Sequence, residues 1–94
     1  MTAQLARWAD EHSLRLAWII EYVGRHNAGD WGDLDQMDAA INDAAIARRV
    51  GRMLSRYLVP TALLDEADDD AIWIITDDLA DVESMTIILW PSDY

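Results

Sequence analysis

Ala71-Ile72-Trp73-Ile74-Ile75-Thr76 is the point at which the grammar of the chain changes, and its reading decides the fold class. The run is β-branched and aromatic and has the length of a strand. A second run of the same kind, Met85 to Trp90, follows an acidic connection, so the two are expected to pair as an antiparallel hairpin. Two strands alone are only marginally stable in water, which requires the hairpin to pack on helices or to extend through a partner's sheet.

The preceding residues supply the helices. Thr2 to His12 predicts a short first helix with Thr2 as cap and Leu5, Trp8 and Ala9 on one face. Ser13 is a suitable cap for a second, whose stripe is Leu16, Ile19, Ile20 and Val23, with Arg15 and Glu21 turned elsewhere. Gly24 to Gly29 carries the polar and glycine chemistry of a helix stop, and Gly29 suits a left-handed position. Asp33 or Asp35 caps a third helix, in which Leu34, Met37, Ile41, Val50, Met53, Leu54 and Tyr57 stay near helical phase as far as Pro60. Gly51 marks either close packing of another element or a break. The expected fold is therefore α+β: two or three N-terminal helices packed on a C-terminal antiparallel β-hairpin, in one domain over residues 1–94.

Charge is distributed unevenly. Residues 1–64 hold eight carboxylates and seven arginines, net −1, whereas residues 65–94 hold ten carboxylates and no base, net −10. There is no lysine, so every positive charge is a guanidinium suited to bidentate pairing. A net charge of −11 repels phosphate and anionic lipid, which disfavours direct binding to nucleic acid or membrane and favours a basic partner. The absence of cysteine excludes disulfides and thiolate chemistry and fits a cytoplasmic setting. No apolar run is longer than Leu16 to Ile20, which is too short for a signal sequence or a membrane span.

Three boxes give the chain a resemblance to a family of short proteins encoded on plasmids and other mobile elements, of unknown function. They are Arg25-His26-x-x-Gly29-Asp30-Trp31-Gly32-Asp33, Gly51-Arg52-x-Leu54-Ser55-x-Tyr57, and Ile72-Trp73-Ile74-Ile75-Thr76 through Ile88-Leu89-x-Pro91-x-x-Tyr94. The resemblance implies a small α+β fold and mobile-element biology, and it brings no catalytic residues. Members usually join the two strands by a short turn containing arginine. Here the connection is longer and carries Asp77, Asp78, Asp81 and Glu83.

Candidate sites follow from these patterns. His26, Asp30 and Asp33 have the types for acid–base or metal chemistry, but no nucleophile motif or second base accompanies them. A turn capped by Asp30, pinned by Trp31 and closed by His26 explains them better. Asp65, Glu66, Asp68, Asp69 and Asp70 lack the alternating ligands and glycine of an EF-hand loop, so a solvated acidic turn is the plain reading. Arg48, Arg52 and Arg56 fall on one face of the expected third helix and would neutralise part of the acidic tail. Of the five tryptophans, Trp90 beside Pro91 is the candidate interface anchor.

The expectation is thus a non-enzymatic binding protein without cofactor or metal. Its contact residues would be Asp65, Glu66, Asp68, Asp69, Asp70, Asp77, Asp78, Asp81, Glu83 and Trp90. The leading form is an inhibitor of a host defence nucleoprotein complex, anti-CRISPR or anti-restriction, that places carboxylates where nucleic acid places phosphates. The alternative is a structural or regulatory module that forms a homodimer or pairs with a co-encoded protein through apolar contacts.

Overall fold

The structure is a computed structural model and describes residues 1–81 and 85–94. Three helices, α1 (Ala3–Asp10), α2 (Ser13–Asn27) and α3 (Gln36–Arg48), precede three strands, β1 (Met53–Leu58), β2 (Ala71–Thr76) and β3 (Thr86–Leu89). The strands form one antiparallel sheet in the order β1-β2-β3, with Ser55 opposite Ile74 and Ile74 opposite Ile88. The α+β expectation holds, and the hairpin gains a third strand that solves its stability problem within the chain.

That strand comes from the end of the expected third helix. The helix stops at Arg48 because Arg49 enters the left-handed region at φ 55° and its N–H returns to the Ala45 and Ile46 carbonyls. Gly51 follows at φ 96°, a conformation that suits glycine, so it is a break and not a packing contact. Beyond it, Met53, Ser55 and Tyr57 point inward and alternate with less buried Leu54 and Arg56, the two-residue period of a strand. Met53 and Tyr57, four positions apart, share a face in either period, and pairing with β2 decides between them. The arginine stripe dissolves accordingly: Arg48 ends α3, Arg52 lies in the connection and Arg56 lies on β1.

The core forms where α1 and α2 cover one sheet face. Leu5, Trp8, Trp18, Ile19, Tyr57, Ile72, Ile74 and Trp90 are all buried there, and the Trp8 and Trp90 rings meet edge to face at 5.1 Å. The second helix is rotated from its expected stripe: Trp18, Ile19 and His26 are buried, whereas Leu16 and Ile20 are exposed. Burying the larger aromatic removes more apolar area from water. Arg15, expected outside, is buried and well bonded. Its guanidinium donates to the Trp8 carbonyl at 3.0 Å, to Glu11 at 3.1 Å and to the Asp65 carbonyl at 2.9 Å.

Caps differ in detail. Asp35 accepts from the Asp38 N–H at 2.9 Å and caps α3, as one of its two candidates. The His12 Nδ1, not Ser13, accepts from Leu14 N–H at the start of α2. The Thr2 hydroxyl does not cap α1 and donates instead to Asp93 at 2.9 Å.

The outer edge of β1 is closed by side chain and loop together. The Asn42 amide both donates to the Leu54 carbonyl at 2.6 Å and accepts the Leu54 N–H at 3.1 Å, as a neighbouring peptide would. Next along the edge, Arg56 N–H donates to the Trp31 carbonyl and Asp33 N–H donates to the Arg56 carbonyl. Gly32 sits at φ 70° so close to β1 that a Cβ there would collide with the Arg56 carbonyl and the Tyr57 ring.

Candidate interaction surface

The acidic residues divide between the two ends of β2. Asp65, Glu66, Asp68, Asp69 and Asp70 lie in the connection that enters it, and Asp77, Asp78 and Asp81 in the one that leaves it. Glu83 lies outside the described residues. The first connection is held at its base, because the Asp65 carbonyl accepts both the Arg15 guanidinium and the Trp8 indole N–H at 3.1 Å. Glu66 takes a left-handed backbone at φ 59°. Asp69 accepts the Asp70 N–H and Asp78 accepts the Ala80 N–H, each at 2.9 Å, so both loops carry local turns.

Internal neutralisation of the first cluster is slight. Arg56 reaches Asp70 at 3.8 Å and also pairs with Asp33. Arg15 pairs with Glu11, and Arg25 with Glu21 and Asp30, none of them a carboxylate of the first cluster. The Arg52 guanidinium lies 5.3 Å above the Tyr94 ring. Exposed pairs of this kind are each worth about 0–1 kcal/mol.

Trp90 requires a correction. Its side chain is fully buried against Trp8, so it anchors α1 to the sheet and is not available to a partner. The proline after it allows the short turn Pro91–Asp93, which carries Tyr94 to the opposite sheet face, 5.5 Å from Trp73. Tyr94 is the exposed aromatic of this segment.

The Gly29-Asp30-Trp31-Gly32 segment after α2 is a turn, as expected, with one difference. Asp30 accepts the Gly32 N–H at 3.1 Å, Trp31 is buried with its N–H on Asp43 at 3.0 Å, and the Tyr57 hydroxyl donates to the Asp30 carbonyl. The His26 ring meets Trp31 edge to face at 5.9 Å, but its side-chain hydrogen bonds lead to the sheet and not into the turn. Its Nδ1 lies 2.6 Å from the Ser55 hydroxyl and its Nε2 2.9 Å from the Thr76 hydroxyl, which in turn meets Thr86 at 3.0 Å. The chain Ser55–His26–Thr76–Thr86 thus crosses all three strands. Burial lowers the His26 pKa to about 4, so the ring is neutral at pH 7.

Ser55 beside His26 is a pairing that sequence reasoning missed, since the two are 29 positions apart and share no motif. A serine and an imidazole are the types for nucleophilic chemistry. Both side chains are fully covered here, so the serine hydroxyl has no open side from which an acyl group could approach. What the pair does is join α2 to the sheet by satisfied polar contacts. Among the described residues, no group of three His, Cys, Asp or Glu side chains could hold a metal ion. No described helix is long and apolar enough to cross a membrane. No protein-family model, curated protein or solved structure matches the chain.

Proposed function

We propose that this is an acidic binding protein that occupies a basic, nucleic-acid-binding surface of a partner, with carboxylates standing in for phosphates. The observation that carries the reading is the placement of two acidic loops at opposite ends of the central strand, one of them held at its base by Arg15 and Trp8. Six strand residues at ~3.3 Å each separate the loops by roughly 20 Å. A basic channel that tracks a nucleic acid backbone presents charge over such a length. Because the first loop's base is fixed, less ordering is required on binding. The resemblance to mobile-element proteins makes a host defence complex, CRISPR or restriction, the concrete partner.

Two variants test this. One converts Asp65, Glu66, Asp68, Asp69 and Asp70 to amides, the other Asp77, Asp78, Asp81 and Glu83. Both should keep or slightly raise the wild-type melting temperature, since like-charge repulsion is relieved. Inhibition of a restriction or CRISPR complex should fall, each desolvated pair lost costing about 2–5 kcal/mol and each rim contact much less. Wild-type inhibition should also weaken steeply as salt is raised. Unchanged inhibition by both neutralised proteins would end the charge-mimic reading.

A further inference from the structure

Helix α3 is packed in an unusual sense. Its one buried side chain is the polar Asn42, while Met37 is 80% and Ile41 62% exposed. Within the helix, Met37, Ile41, Ala44 and Arg48 recur at spacings of four, three and four residues, which is the seam of a helix that pairs with another helix. Ala40, Ala44 and Ala47 keep that side thin enough for a close approach, on the order of 8 Å between axes. A shallow groove lined by Ile41, Ala44, Arg48, Val50 and Arg52 continues the seam beyond the helix end.

The ends of the seam carry opposite charge. Asp35 and Asp38 stand at its start, and Arg48, Arg49 and Arg52 at and beyond its end. The helix dipole accounts for acids at the start and bases at the end, but not for apolar side chains turned to water. Among the described residues, Arg48, Arg49 and Asp38 form no ion pair within 4.0 Å. Asp35 holds the Asp38 carboxyl above its ordinary pKa by charge repulsion, so Asp38 faces an unfavourable potential that a guanidinium would reverse.

We infer that α3 is a self-association surface and that its occupant is α3 of a second copy, packed antiparallel about a two-fold axis. Reversal is what matches the charges, because it brings Asp38 of each copy to Arg48 of the other while Ile41 of each packs beside Ala44 of the other. A parallel pair would set acid on acid and base on base. Thirteen helical residues span roughly 20 Å, which gives an interface below the standard size of about 1,600 Å², so the dimer is weak and forms reversibly with concentration. This face holds none of the carboxylates of the acidic loops, so the inference does not rest on the acidic-surface reading.

Sedimentation of the full chain over a concentration series tests it, with a melting curve for each variant. Wild type should pass from monomer to dimer as concentration rises. Ile41→Asp should raise the dissociation constant roughly tenfold or more, by placing a charge in the seam. Asp38→Arg alone sets arginine against arginine across the two-fold, and Arg48→Asp alone sets acid against acid, so each should also dissociate more readily. An equimolar mixture of those two proteins makes both cross-pairs complementary and should recover dimer to near the wild-type level. Mixing cannot repair a folding defect, so recovery identifies the contact. A wild-type chain that stays monomeric at all concentrations, a dimer indifferent to Ile41→Asp, or a mixture no better than its components would each overturn the assignment.

Discussion

His26 shows how much a single side chain depends on distant sequence. Its two partners, Ser55 and Thr76, are 29 and 50 positions away, and no local pattern pairs them. The turn around Asp30 and Trp31 was legible because glycine, aspartate and tryptophan act over a few residues; the destination of His26 was not, because it depends on strand register. The lowered pKa fixes the sign of the pH effect. Unfolding restores the ordinary value of 6.5, so the unfolded chain binds the proton first. The stabilising contribution of neutral His26 is complete above pH 6.5 and is lost as the pH falls towards about 4. From those two values the loss by pH 4.5 is on the order of 2–3 kcal/mol. Urea unfolding at pH 7 and pH 4.5 should show it for wild type, whereas His26→Gln, which hydrogen-bonds without titrating, should lose less by roughly that amount. An equal loss in both proteins would place the titration elsewhere.

At the level of elements, the sheet's third strand was the part the sequence concealed. Met53, Leu54, Arg56 and Leu58 are ordinary helix formers, and their apolar spacing fits a helix as well as a strand. The decision belongs to β2, which needs a neighbour, and to Arg49 and Gly51, whose left-handed conformations end α3. The hairpin strands were legible for the opposite reason, since β-branched and aromatic residues have a clear preference. Asn42 then protects the new edge. Asn42→Ala would leave the Leu54 N–H and carbonyl without their side-chain partner and should cost about 1–3 kcal/mol, or a fall in melting temperature of roughly 4–8 °C for each kcal/mol. An unchanged melting temperature would mean that water replaces the amide without loss, and that the edge needs no such protection.

For the molecule as a whole, the charge imbalance seen in the sequence survives folding. The acidic loops lie at opposite ends of the central strand, and among the described residues the first has one carboxylate paired with an arginine, Asp70 with Arg56. Composition made this legible; the exchange of Trp90 for Tyr94 as the exposed aromatic was not, because it depends on which sheet face each residue meets. With 18 carboxylates against seven arginines and a net charge of −11, repulsion outweighs attraction at neutral pH. Raising sodium chloride from low concentration to about 0.5 M should therefore increase the melting temperature by screening; a decrease would show that the ion pairs dominate. One contact noted earlier also bears on how the protein is made. Thr2 binds Asp93, 91 positions away, and Trp8 rests on Trp90, so the first helix, although it can already meet α2 through Arg15, lacks these contacts until the last strand has been translated. Folding during synthesis can therefore pair the first two helices early but cannot seal the core, and part of the apolar face of α1 stays uncovered until β3 arrives.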